Sequence, residues 1–107
     1  MQTVYQEAAP SRVELDAMTG ATLVEFGTNW CGFCRAAQPL LSSAMNTHAE
    51  LRHIKVEDGP GRALGRSFRV KLWPTLIFMR DGQEVSRLVR PDDVRAIEQA
   101  LAQIDPV

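Results

Sequence analysis

Trp30-Cys31-Gly32-Phe33-Cys34 holds both cysteines of the chain at Cys-x-x-Cys spacing, just after the apolar run Leu23-Val24-Glu25-Phe26. A disulfide between residues this close constrains too short a loop to stabilise a fold much, because the entropic gain grows with loop length. If a helix starts at the first cysteine, the two thiols stand on neighbouring turns of one face and can join and part with little backbone movement. A Cys-x-x-Cys pair at a strand-to-helix junction therefore points to thiol–disulfide exchange. The nucleophile is the thiolate, and a free cysteine has a pKa of ~8.5, so near neutral pH it needs activation. A helix N-terminus supplies it through unpaired backbone N–H groups and the macrodipole. Cys31, at the very end, is predicted to attack, and Cys34, one turn deeper, to resolve the mixed disulfide.

Outward from this stretch the pattern alternates. Val4-Tyr5 reads as part of a short first strand, and Ser11-Arg12-Val13-Glu14 as a capping box opening a helix that Gly20 stops. Ala21 to Phe26 is a buried strand carrying one acid. From Cys31 or Cys34 to about His48, Ala37, Leu40, Leu41, Ala44 and Met45 recur at helical spacing, with Pro39 predicting a kink. Leu51 to Glu57 alternates as a strand, and a short helix follows over Arg62 to Phe68. Thr75 to Met79 and Val85 to Val89 flank Asp81-Gly82, a hairpin signal. Pro91 is placed at the start of a last helix whose apolar face is Val94, Ile97, Leu101 and Ile104. The expected fold is α/β, with four helices covering both faces of a mixed sheet of about five strands.

The bulk properties narrow the class. A chain of 107 residues is expected to form one domain spanning residues 1–107. Apolar content of 45% with 23% charged residues fits a soluble globular protein. A formal net charge of −1 argues against nucleic-acid binding. The charge is uneven: Arg52, Lys55, Arg62, Arg66, Arg69 and Lys71 crowd one stretch, followed by Arg80, Arg87 and Arg90. Solvated faces are the ordinary reading of such a run, and a basic rim favouring acidic partners is the sharper one. No apolar run approaches the ~18 residues of a membrane span. Met1 to Pro10 shows neither a basic start nor an apolar stretch, so a cytoplasmic location is expected.

Several spaced features together resemble the thioredoxin family, from first strand to last helix. They are Leu23-Val24-Glu25-Phe26 followed by Trp30-Cys31-Gly32-Phe33-Cys34, Pro39 within the helix, Trp73-Pro74-Thr75, and the Asp81-Gly82 turn. The resemblance implies a thioredoxin-like three-layer fold, with Cys31 as nucleophile, Cys34 as resolving thiol and Pro74 in a cis bond beside the disulfide. Pro74 with its neighbours Trp73 and Thr75, and Trp30, Gly32 and Phe33 around the cysteines, are then expected to meet substrate. The implied partners are protein disulfides, with an outside electron donor such as a thioredoxin reductase. No metal and no cofactor beyond the Cys31–Cys34 disulfide is implied, and a monomer is expected. Glu25 occupies the place of the family's buried aspartate, which shuttles the proton of the resolving thiol. An acid between Val24 and Phe26 is costly to bury charged, so its pKa is expected to rise, with Lys55 on the next strand as its partner.

Four departures from the family pattern stand out. Phe33 replaces the usual proline between the cysteines. Gly27-Thr28-Asn29 stands where the family has an aromatic residue and an alanine, which predicts a thinner wall. Trp73 is bulkier than the usual aliphatic residue, and Arg90 lies near the position of a glycine that lets substrate backbone approach. These features point to a narrower substrate range.

Three rival readings compete. Cys31-x2-Cys34-x13-His48-x4-His53 has Cys2His2 zinc spacing, but a helix between Cys34 and His48 carries its ends ~20 Å apart. Gly59-Pro60-Gly61-Arg62-Ala63-Leu64-Gly65 faintly resembles a dinucleotide-binding turn, yet its spacing is wrong and Pro60 lacks an N–H. The third is a non-enzymatic adaptor or assembly subunit on the same fold, favoured by Trp73 and Arg90.

Overall fold

A computed structural model of the chain describes residues 2–106. The sheet is built around β1 (Ala21–Gly27), whose run of apolar and β-branched residues is buried almost throughout. Parallel to it runs β2 (Arg52–Glu57), and antiparallel on its other side runs β3 (Thr75–Arg80), which β4 (Gln83–Val89) continues to the edge in the order β2-β1-β3-β4. The helices are α1 (Arg12–Asp16), α2 (Gly32–Ala44), α3 (Ala63–Ser67) and α4 (Val94–Ile104), with a 3-10 turn over Met45–Thr47.

Alternation along β1 divides the core in two. Leu23 faces α2 and α4, packing with Leu41, Leu76, Phe78, Ile97 and Leu101, whereas Val24 and Phe26 pack on the opposite face with Leu15, Leu64 and Phe68. Each fully buried side chain of this size contributes roughly 1.5–3 kcal/mol relative to exposure. Glu25 follows Leu23 by two residues and so points to the α2 side, beneath the helix that carries the cysteines. The same period that builds the core thus aims the one acid of β1 at the site.

The capping box is formed as expected, with Glu14 N–H donating to Ser11 Oγ (3.1 Å) and Ser11 N–H to Glu14 Oε1 (2.9 Å). The hairpin turns on Asp81 (φ 51°) and Gly82 (φ 79°), a pair of left-handed residues suited to a two-residue loop. A side chain at Gly82 would meet the Asp16 carbonyl oxygen at 1.8 Å, so the turn also depends on the absent Cβ. Among the described residues no helix is long and apolar enough to cross a membrane.

Two expectations need correction. The sheet has four strands, not about five: Val4-Tyr5 is not a strand, and the N-terminal segment touches the sheet by one bridge, Gln6 to Val56. Its cause is local, for the Asn29 side chain accepts from the Tyr5 N–H (2.8 Å) and donates to the Tyr5 carbonyl (3.2 Å), taking the groups a strand partner would use. The last helix begins at Val94 and not at Pro91, because the Asp93 carboxylate caps it by accepting from the Arg95 N–H (2.9 Å).

Candidate active site

Cys31 is the N-cap of α2, with extended backbone (φ −79°, ψ 125°), and its Sγ accepts from the Cys34 N–H at 3.4 Å. The sulfur thus takes the place of the side-chain oxygen that normally satisfies a helix end. Burial disfavours the Cys31 thiolate, but the Cys34 thiol, the N–H groups of Cys34 and Phe33, and the Arg90 guanidinium outweigh it and hold its pKa below the ordinary cysteine value. Cys34 is fully buried and free. Burial first, then hydrogen bonding to Cys31 and its charge, push the Cys34 thiol up to about 12. The two thiols are chemically unequal before any substrate arrives.

Below them lies a polar cluster with Glu25 at its centre. β1 pairs Glu25 with Lys55 across the parallel ladder, and Lys55 Nζ lies 3.7 Å from Glu25 Oε2 with both side chains wholly buried. Gln38 joins them: Lys55 Nζ donates to Gln38 Oε1 (2.6 Å), while Gln38 Nε2 donates to Glu25 Oε2 (3.0 Å) and to the Cys34 carbonyl (2.8 Å). His53 Nδ1 accepts from the Gln2 N–H (3.3 Å), so its Nε2 carries the proton and donates to Glu25 Oε1 (3.0 Å). The Tyr5 hydroxyl donates to Glu25 Oε2. The expected rise in the Glu25 pKa is therefore reversed. Burial does raise it, but the His53 hydrogen bond, the Lys55 charge, and the hydrogen bonds from Tyr5 and Gln38 together bring it below the ordinary carboxylate value.

The sequence gives Tyr5 and Gln38 no part in the site, and names His53 only for its zinc-like spacing. Tyr5 fills the thinner wall expected at Gly27-Thr28-Asn29. A methyl at Gly27 would lie 2.6 Å from Cys34 Sγ and 2.8 Å from both Tyr5 Cζ and Oη. The ring that the loop lacks is supplied by the N-terminal segment. Gly27→Ala is accordingly expected to cost about 1–3 kcal/mol through overpacking, read as a lowered urea midpoint with an unchanged m-value; an unshifted midpoint would contradict this packing.

Around the thiols, three of the four departures, Phe33, Trp73 and Arg90, meet one another. The Arg90 guanidinium stacks over the Phe33 ring (3.8 Å from its centroid), and Arg90 Nε donates to the Trp73 carbonyl (2.8 Å). Arg90 has φ 50°, a left-handed conformation natural to glycine, and its N–H donates to the Pro74 carbonyl (2.9 Å). Trp73 is half-buried, its Nε1 donating to Asp58 Oδ2 (2.9 Å), and meets exposed Trp30 edge to face with centroids 5.9 Å apart. The Trp73–Pro74 bond is cis. Gly32 and Phe33 are exposed, whereas Pro74 and Thr75 are buried, Thr75 Oγ1 donating to the Leu72 carbonyl (2.6 Å). The Thr75 hydroxyl is thus engaged by the backbone three residues earlier.

The residues at zinc-finger spacing do not come together. His48 pairs with Asp105 (2.7 Å) beyond the far end of α2, and His53 with Glu25 (3.0 Å). Among the described residues no three His, Cys, Asp or Glu side chains are grouped to hold a metal ion. Of the Gly59 to Gly65 segment, residues 59–62 form a turn closed by Arg62 N–H to the Gly59 carbonyl (3.1 Å), and the rest opens α3.

A dithiol at a helix N-terminus, beside a cis-proline and above a buried carboxylate on a mixed sheet, defines a disulfide oxidoreductase. The family model described as Thioredoxin matches residues 3–103. The fold superposes with a TM-score of 0.86 on the reduced form of thioredoxin 2 from Pseudomonas aeruginosa, which is 58% identical over 97% of this chain and 96% of that one. Thioredoxins from Chlamydia pneumoniae (38% identical, covering 66% of this chain and 70% of that protein) and Mycobacterium tuberculosis (33%, covering 78% and 73%) are also similar. The chain belongs to the thioredoxin family.

Proposed function

We propose that this protein reduces disulfides in partner proteins by dithiol exchange. The observation that carries the reading is the inequality of the two thiols, Cys31 held as the N-cap acceptor of α2 and Cys34 buried behind it. Cys31 thiolate attacks one sulfur of a partner disulfide, forming a Cys31–partner bond and releasing the other partner sulfur as a thiolate that takes up a proton. Cys31 then no longer carries charge, so two of the influences that raise the Cys34 pKa, its hydrogen bond to the Cys31 sulfur and the Cys31 charge, disappear. Cys34 loses its proton toward Glu25 and attacks Cys31 Sγ, forming the internal disulfide and expelling the reduced partner. An outside dithiol donor, of the thioredoxin reductase kind, restores the pair. Such cycling suits a reducing compartment, and the cytoplasmic reading rests on cysteine usage.

Acidic partners are favoured by a groove of about 520 Å³ beside Trp73, lined by Arg66, Arg69 and Lys71. Among the described residues none of these three is in an ion pair.

The adaptor reading is supported by the Arg90 strap between Phe33 and Trp73, which narrows the approach to the thiols. Reduction of insulin disulfides separates the two. Turnover comparable to other thioredoxins, abolished in Cys31→Ser, is the expected result; reversible oxidation of the pair without insulin turnover would favour a dedicated partner.

A further inference from the structure

Tyr5 stands between the resolving sulfur and the buried carboxylate. Its hydroxyl donates to Glu25 Oε2, and the same oxygen faces Cys34 Sγ across the notch at Gly27, where one added methyl would touch both atoms. The ring is held from three sides. Asn29 clamps the Tyr5 backbone through both its N–H and its carbonyl, Lys55 Nζ sits 4.4 Å from the ring centroid, and Gly27 lies against the ring edge. The side chain is almost wholly buried.

We infer that Tyr5 is a catalytic residue of the resolving step, its hydroxyl passing the Cys34 proton to Glu25. As the Cys34 S–H proton moves to Tyr5 Oη, the phenolic proton moves to Glu25 Oε2. The Cys34 electron pair forms the Cys34–Cys31 bond while the Cys31–partner bond breaks, and the partner sulfur leaves with that bond's electrons. The partner disulfide gains two electrons and the protein dithiol loses two. Tyr5 ends neutral, as it began, and Glu25 returns its proton to solvent. Burial, the Glu25 charge and the Glu25 hydrogen bond hold the phenol well above its ordinary pKa, which suits a group that passes a proton without itself ionising. The Tyr5 hydroxyl also works against burial by favouring the Cys34 thiolate.

A water molecule is the rival carrier. A cavity of about 60 Å³ lined by Tyr5, Thr28, Cys34, Gln38 and Lys55 has room for one. Thr28 Oγ1, buried and without a partner, belongs to its wall.

The inference rests on the dithiol reading above, and one experiment addresses both separately. The reduced protein is mixed with an aromatic disulfide whose thiolate is coloured, so that Cys31 attack releases the first thiolate and Cys34 attack the second. In Tyr5→Phe the first phase should be unchanged while the second slows about 10²-fold near neutral pH and recovers as pH rises and Cys34 ionises directly. A second phase as fast as in the native protein, or both phases slowed equally, overturns the role of Tyr5. Absence of any second phase in the native protein overturns the dithiol reading itself. Tyr5 is the sole tyrosine, so should Tyr5→Phe not fold, 3-fluorotyrosine incorporated biosynthetically changes the acidity of this one hydroxyl. A changed second phase over an unchanged first then supports the relay, and two unchanged phases overturn it.

Discussion

A Cys34→Ser variant is expected to lose disulfide turnover by several orders of magnitude while accumulating as a covalent adduct of its substrate. Removing a group that acts as a unit with its partner costs nearly the whole rate. What makes the outcome specific is which half-reaction survives. Cys31 is partly exposed and keeps its backbone donors at the α2 N-terminus and the nearby Arg90 charge, so it still attacks. A serine hydroxyl at position 34 retains a donor toward the Cys31 sulfur but cannot displace it. The Cys31–partner bond is then left without its intramolecular attacker, the buried Cys34 thiol. Mass spectrometry of the adduct checks this and names the partners. Sustained turnover, or adducts at an equal level in Cys31→Ser, would contradict the order of attack.

The largest effect on stability is expected from Glu25→Leu. The substitution leaves Lys55 buried without its counter-charge and strips an acceptor from His53, Tyr5 and Gln38 together. Breaking one side of a buried pair costs about 3–5 kcal/mol, which for a domain of this size lowers Tm by more than about 10 °C. Adding Lys55→Met should restore much of the loss, because removing both charges also removes the cost of burying them. The pH dependence has a definite sign. The Glu25 pKa is depressed in the folded protein, so the stability it contributes is full above the ordinary carboxylate value of about 4.3 and is lost as pH falls through the lower folded value. The native protein should therefore lose stability more steeply in acid than Glu25→Leu, as thermal melts across that range would reveal. Parallel pH profiles would mean that Glu25 is not held as a carboxylate.

Periodicity made most of this architecture legible. The apolar runs at β1 and β3, the alternating run at β2, the Ser11 capping box and the Asp81-Gly82 turn are local signals, each complete within a few residues. The Cys31 N-cap is equally local. The chain's chemistry became obscure wherever it depended on residues far apart along the sequence. Glu25 was visible as a buried acid, but three of its four partners were not: Tyr5, Gln38 and His53 come from the N-terminal segment, α2 and β2. Counting burial without these donors predicts the wrong direction for its pKa. Gly27 misleads for the same reason, since a missing side chain in one loop is compensated by a ring from another segment. Pro91 is a fair helix-start signal, outcompeted by a side-chain cap two residues later.

The edge-to-face contact of Trp30 with Trp73 brings together all the indole of the chain. Its indole emission therefore originates entirely at the mouth of the dithiol, from one ring next in sequence to Cys31 and another next to Pro74. A disulfide is an electron acceptor that quenches excited indole, and a docked partner changes the polarity around both rings. The protein thus carries its own optical reporter, in which oxidation and docking can be followed by fluorescence without an attached dye.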